Sequence, residues 1–308
     1  MGPAPTPMAY FLQQILNGVH IGAIYALLAF GYAMTYGVLR RANLAHGAIF
    51  AFGGQVGILA TVFGWNVLWL TLPAALGLGV VLAFAFAGLA SHLISRAVLE
   101  PLRAGNPNTI VAATLAVAIV LMELGRLAMD SRDLWLPPIL ARTVVFWRDG
   151  VFLVTLTAIQ LVDVAIVILS IAIAAVWLSR SRFGRGWRAI CDDPLAAAMC
   201  GVDARRTFRA TVVASGMLAA LAGVLAAIHF GNISFDTGLV FGLKVLFVAA
   251  LGLGGSPLAA AFGAAGIGIA ESLWTGYFAG EWRDAGIFSA LVLLLVLRSA
   301  DLARDRNV

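Results

Sequence analysis

RSRFGRGWRAICDDPLAAAMCGVDARRTFR, residues Arg180 to Arg209, is the stretch on which the reading of this chain turns. It holds seven of the nineteen arginines and interrupts a sequence that is otherwise apolar enough to lie in a bilayer. Such a block reads as a loop outside the membrane, between two spanning segments. Within it, Asp193 before Pro194 sets an N-cap and the first residue of a helix, and Gly201 supplies the left-handed residue that stops it. The short helix so delimited puts Leu195, Ala198, Met199 and Val202 at i, i+3, i+4 and i+7, one apolar face with no membrane to enter. Asp203 caps the next helix, whose first turns carry Arg205, Arg206 and Arg209. Two readings fit the block: a helix that docks in a soluble partner's groove, or an interfacial loop that arginine holds against anionic lipid.

Composition fixes the class around this loop. Of 308 residues, 62% are hydrophobic and 11% charged, with a mean hydropathy of +0.97; these values belong to a polytopic, all-α membrane protein. The formal net charge of +5 comes from arginines at segment ends, where orientation demands them, so nucleic acid is not an expected partner. Cys191 and Cys200 lack CxxC or His-rich company and predict neither a disulfide framework nor a metal site. No Lys or Arg precedes Arg40, so the N-terminus is expected to be retained rather than cleaved as a signal. Gly2 with Thr6 is a chance match to a myristoylation pattern.

About nine apolar segments follow from a window of about 19 residues. They are Tyr10 to Leu39; two crossings within Ala42 to Ser95, turning near Gly64, Trp65 and Asn66; Thr109 to Met129; Val151 to Leu178; Ala210 to Phe230; Leu239 to Leu253; Leu258 to Phe278; and Ala285 to Leu297. The expected architecture is one transmembrane domain over 1–308, of eight to nine transmembrane helices with breaks, and a loop at 180–209 inside it. With that loop in the cytoplasm, Arg40 and Arg41, Arg96 and Arg103, and Arg298, Arg304 and Arg306 also fall inside, while the N-terminus falls outside and the C-terminus inside. Trp135, Trp147 and Trp282 then lie at the outer boundary as an aromatic belt.

Two polar breaks read either as lining for a path through the membrane or as turns at its surface. One is NLAHG, Asn43 to Gly47; the other is GLGGSP, Gly252 to Pro257, with Gly254 and Gly255 inside it. Ionisable residues within spans are few. Glu123 and Arg126 predict a local pair three residues apart, and Lys244, the single lysine, predicts neutralisation of Glu271 across neighbouring helices. So sparse a set does not suit a proton relay. His20, His46, His92 and His229 fall on different segments without HExxH spacing, which argues against an intramembrane enzyme and gives no catalytic or metal-binding set. Small residues four apart, such as Gly53 with Gly57 and Ala259 with Gly263, predict close helix packing.

The run GRGWRAICDDPLAAAMCGVD is similar to the cytoplasmic coupling loop of permease subunits of bacterial ABC importers of the branched-chain amino-acid type, the LivH/LivM family. NLAHG resembles an N-[FL]-[AS]-x-G element after the first span of that family. SRDLWLP, Ser131 to Pro137, resembles part of its outer loop, and GLGGSP resembles its GGxGSxxG element. Order and spacing favour the LivH-like branch. Asp192, where many coupling loops carry Glu, and Ala259, where glycine is common, depart from the pattern.

The resemblance implies an inner-membrane, multi-pass permease for hydrophobic or branched-chain amino acids that is not itself an enzyme. It implies a second, LivM-like permease, two cytoplasmic ABC ATPases that bind ATP and magnesium, a periplasmic or lipid-anchored substrate-binding protein, and membrane lipid around the chain. It assigns Gly184, Arg188, Ala189, Asp192, Asp193, Pro194, Leu195, Ala198, Met199, Gly201 and Val202 to ATPase coupling. The translocation path would take Asn43, His46, Gly47, Gly252, Gly254 and Gly255. No cofactor is expected in this chain; a GxxxxGK[ST] loop is missing, since the one lysine follows Phe241, Gly242 and Leu243. Urea or short amides are the alternative cargo, and a secondary carrier or channel without an ATPase is the rival class.

Overall fold

The computed structural model describes residues 6–305 apart from 104, 131, 133, 151, 235 and 251–255. Helix α1 spans Pro7–Leu39; Thr6 caps it by accepting the Ala9 N–H, and Arg40 closes it at φ 51°. There follow α2 (Ala45–Asn66), α3 (Leu72–Ile94), a π turn (Ser95–Leu99) leading into α4 (Glu100–Leu102), and α5 (Pro107–Ala128). A hairpin of β1 (Thr143–Asp149) and β2 (Phe152–Thr157) precedes α6 (Ala158–Arg180), α7 (Arg182–Asp192) and α8 (Pro194–Met199). The chain finishes with α9 (Ala204–Phe230), α10 (Thr237–Ala250), α11 (Pro257–Tyr277) and α12 (Arg283–Asp305).

Nine of these helical stretches correspond to the nine expected segments. Among the described residues, seven are long and apolar enough to cross a membrane. The 14 residues of α10 rise only about 21 Å, short of a hydrocarbon core of about 30 Å. The expected span from Val151 starts late: Phe152–Thr157 pairs antiparallel with Thr143–Asp149, and α6 begins at Ala158. Residues FLVTLT and TVVFWRD are β-branched and aromatic, which suits a pleated pair better than a helix, and Gly150 takes φ 59° between the strands.

At one end of the bundle the hairpin meets the start of α1, where the Thr6 N–H donates to Asp149 Oδ2 at 2.9 Å, and Tyr10 Oη donates to the Gly276 carbonyl at 2.8 Å. At the other end Arg40, Glu100 and the 180–209 loop come together through Arg40 to the Cys191 carbonyl and Arg205 and Arg209 to Glu100.

Helix α1 is the axis, packed chiefly on α11 and also on α9, α6 and α10, whereas α2 packs on α3, α9, α5 and α10. The α1–α11 crossing is so close that a Cβ on Gly22 would stand 2.5 Å from the Ala265 carbonyl oxygen, so glycine is obligatory there. On α2, Gly53 and Gly57 face Ala220 and Val224 of α9 as their spacing predicts. Leu and Ile side chains on α6, Leu169 and Ile173 among them, point outward and exposed, as a lipid-facing surface requires.

Candidate functional site

The arginine-rich loop is built as three consecutive caps. Ser181 Oγ accepts the Gly184 N–H at 2.9 Å and starts α7. Gly184 lies so near the end of α6 that a Cβ would fall 1.8 Å from the Leu178 carbonyl oxygen. Arg188 donates to the Leu178 carbonyl and, at 3.2 Å, to that of Ser179, which satisfies the open C-terminus of α6. The Ala189 carbonyl accepts the Asp193 N–H at 3.0 Å and closes α7.

Helix α7 is absent from the sequence-based expectation. Its inward face is Gly184, Trp187 and Ile190, and Trp187 Nε1 donates to the Met34 carbonyl of α1 at 3.0 Å. Arg40 reaches the carbonyls of Cys191 and, at 3.4 Å, Asp192. The loop is thus fastened to the last turns of α1. Burial and the neighbouring Asp192 charge push the Cys191 thiol up to about 12, against the opposing pull of Arg40.

Helix α8 forms as expected. Asp193 Oδ1 accepts the Leu195 and Ala196 N–H groups at 2.8 and 3.1 Å. Gly201, at φ 82°, donates to the Ala198 carbonyl while the Val202 N–H reaches that of Ala197, the two bonds of a Schellman stop. Ala197 is buried, whereas Leu195 and Met199 are 73% and 84% exposed, with Ala198 exposed beside them. Val202 is the correction to the expected face: it is half-buried and turns back toward Gly186 of α7. Of the expected face, Leu195, Ala198 and Met199 therefore remain outward, with Pro194 and Ala196 exposed beside them. The arginines also differ from a simple lipid-contact set, since Arg205 and Arg209 pair with Glu100 at 2.5 and 2.7 Å.

NLAHG is the corner between α1 and α2. Asn43 Oδ1 accepts the Ala45 N–H at 3.1 Å, and Tyr32 Oη accepts the Asn43 N–H at 3.3 Å. His46 is held at both ring nitrogens, Nε2 by the Leu28 carbonyl at 3.1 Å and Nδ1 by Ser215 Oγ at 3.3 Å. Asn43 and His46 are buried within the chain, and a Cβ on Gly47 would come 2.2 Å from the Gly238 carbonyl of α10. These three residues fix the helix corner and the α2–α10 crossing from inside. Gly252, Gly254 and Gly255 lie outside the described residues. Ser256, which follows them, caps α11, and with Pro257 it lines a groove of about 350 Å³ shared with Leu178, Trp187, Arg188 and Cys191.

Deeper in the bundle, Lys244 meets Glu271 at 2.5 Å, the pairing expected from the sequence. It also meets Asp284 at 2.9 Å, and Tyr25 Oη donates to Glu271 Oε2 at 2.8 Å. Arg283 pairs with Asp284 at 3.1 Å. The group joins α1, α10, α11 and α12 with two positive and two negative side chains. Glu123 and Arg126 pair locally on α5 as expected. His20 and His229, read from the sequence as isolated, stack with ring centroids 4.0 Å apart, and Asp163 lies 3.1 Å from His20.

The sequence family described as branched-chain amino acid transport system, permease component, matches residues 14–297. The high-affinity branched-chain amino acid transport system permease protein LivH of Escherichia coli K12 is 31% identical over 94% of both chains. BraD of Pseudomonas aeruginosa, a permease protein of the same description, is 29% identical over 94% of both. A probable LivH of Methanocaldococcus jannaschii is 28% identical over 94% of this chain and 90% of its own.

Proposed function

Since this chain belongs to the branched-chain amino acid transport permease family, we propose that it is the membrane permease subunit of an ATP-driven importer of branched-chain amino acids, coupled to its motor through α8. The observation that carries this reading is the exposed, uncharged surface of Leu195, Ala198 and Met199. It stands on a helix capped at both ends and fastened through α7 to α1 and α6. An apolar patch with rigid mounting and no membrane to enter is suited to receive force from a partner's groove.

In this reading the partners are a second permease, two ATPases that hold ATP and magnesium, and an external protein that delivers the amino acid. Asn43, His46 and Gly47 hold the wall of the path from behind, and the glycines at 252, 254 and 255 belong to the path itself. The chain is a multi-pass protein of the bacterial inner membrane, with its N-terminus outside and the arginine-rich end in the cytoplasm.

Proteoliposomes test the class. The chain with its partner permease, both ATPases and the external delivery protein takes up leucine only with internal ATP, and the chain alone takes up none. Uptake driven by an ion gradient in the chain alone overturns the reading. Native cysteines test the orientation. Cys200 is exposed and is expected to react with a membrane-impermeant maleimide in inside-out vesicles but not in right-side-out ones. Cys191, with its thiol pushed up to about 12, stays protonated at pH 7.5 and unreactive, so Cys200→Ser abolishes labelling and Cys191→Ser leaves it intact.

A further inference from the structure

One buried cluster lies beside the ion network around Lys244 without pairing with it. His20 in the hairpin half of α1, Asp163 near the start of α6 and His229 in the last turn of α9 each bring a nitrogen or carboxylate oxygen to within 4.8 Å of the others. His20 and Asp163 are each 1% exposed. Their contact, Nε2 to Oδ2, is 3.1 Å, and the His229 ring lies over that of His20 at 4.0 Å, tilted by 48°.

Protein groups alone do not satisfy this cluster. Among the described residues, His20 Nδ1, Asp163 Oδ1 and His229 Nδ1 have no hydrogen-bond partner, although buried polar atoms are as a rule paired. Changing the histidine tautomers only moves the deficit from one nitrogen to another. An imidazolium at His20 would balance the Asp163 charge, but it would set a positive ring against a second imidazole and would still leave Asp163 Oδ1 and His229 Nδ1 unpaired. What the three groups have in common is a lone pair to offer. The one carboxylate sets the charge they can balance.

We propose that His20, Asp163 and His229 bind a divalent transition-metal cation of the zinc type, which clamps α1, α6 and α9 together at the end of the bundle opposite the arginine-rich loop. Two imidazoles and a carboxylate are a ligand set for such borderline ions and not for calcium or magnesium, which take oxygen. A tetrahedral site with bonds of about 2.0–2.1 Å places neighbouring ligand atoms about 3.3 Å apart. The His20 Nε2–Asp163 Oδ2 contact, at 3.1 Å, is close to such an edge. His229 closes the remainder; it is only half-buried and stands at the helix end just before Gly231, whose φ is 76°. Both histidines also line a polar cavity of about 280 Å³ with Gln14, Asn17 and Gln160 and with the oppositely charged Glu271 and Arg283, which supplies water for the fourth position and a route of entry.

The test uses the full-length chain, purified in detergent through a tag without histidine and stripped with EDTA. Titration with Co²⁺ is expected to give visible d–d absorption that saturates at one equivalent and is displaced by Zn²⁺, and Zn²⁺ is expected to raise the melting temperature. His229→Gln and Asp163→Asn are each expected to weaken binding about tenfold or more and to abolish the zinc-dependent rise, while melting in EDTA stays near that of the parent chain and shows that the variants fold. The proposal is overturned if the folded parent chain takes up no equivalent of Co²⁺, which would leave a hydrated His–Asp pair. It is equally overturned if binding survives both substitutions, which would put the metal elsewhere.

Discussion

Leu195→Asp together with Met199→Asp is expected to abolish uptake and ATPase association while the chain still inserts and folds. The parent side chains are 73% and 84% exposed, so within this subunit they support almost nothing and their loss leaves no cavity. Position 195 is the second residue of α8, where a carboxylate favours the helix dipole; position 199 is the last, where it opposes it by a few tenths of a kcal/mol. The cost falls on the complex. Each apolar side chain contributes about 1.5–3 kcal/mol when its surface leaves water, and each new carboxylate must enter an apolar groove unpaired. A loss of at least about 3 kcal/mol weakens ATPase affinity on the order of a hundredfold. Pull-down of the ATPase and leucine uptake in the reconstituted complex read this directly, with Leu195→Met and Met199→Leu as variants that keep the apolar surface. Parent-like uptake in the double aspartate variant would remove α8 from the coupling route.

Lys244→Met is expected to damage the fold itself. Lys244 and Glu271 are 2% and 3% exposed at their side chains, and the lysine also meets Asp284. Removal of one member of a buried pair strands the other charge in a low-dielectric interior, at a cost of about 3–5 kcal/mol. Methionine fills the space of the lysine stem, so the loss reports charge rather than volume. The expected result is a markedly lower melting temperature in detergent and poor recovery from membranes. Lys244→Met combined with Glu271→Gln restores most of the stability, because the glutamine still accepts from Tyr25 Oη and Asp284 retains Arg283. Equal melting of the parent chain and the single variant would refute the account. The same variants separate structure from transport: the double variant, once folded, reveals whether the charges serve any step of uptake.

The parts of this architecture that were legible in the sequence are those governed by short-range or all-or-none chemistry. Asp193, Pro194 and Gly201 define α8 because cap geometry is set by a few backbone angles and no distant contact. Lys244 could be matched with Glu271 because a charge in a span needs a counter-charge and the chain has a single lysine. The missed parts depend on neighbours that lie far away in sequence. Helix α7 looked like a loop, with glycine at 184 and 186 and three arginines nearby; its buried face exists only because Met34 and Gly37 of α1 receive Trp187. The β2 strand merged with α6 into one apolar run, since apolar continuity does not distinguish a short strand from a helix start. His20 and Asp163 are 143 residues apart, and only the packing of α1 against α6 brings them together. The exposed Leu195, Ala198 and Met199 are readable as a face, but Val202 leaves it because the Schellman turn ends the helical spacing before that residue.

The 33 residues of α1 form a rod about 50 Å long, tied at one end to the arginine-rich loop by Trp187 and Arg40. Its tightest crossing, at Gly22 against α11, falls almost at its midpoint. Packed on α11, α9, α6 and α10 as well, α1 connects the loop end of the bundle to the hairpin end as one stiff element. In the proposed complex, a displacement of the loop end by the ATPase would be passed along α1 to the hairpin end, since α1 contains no proline beyond its first residue at which to bend.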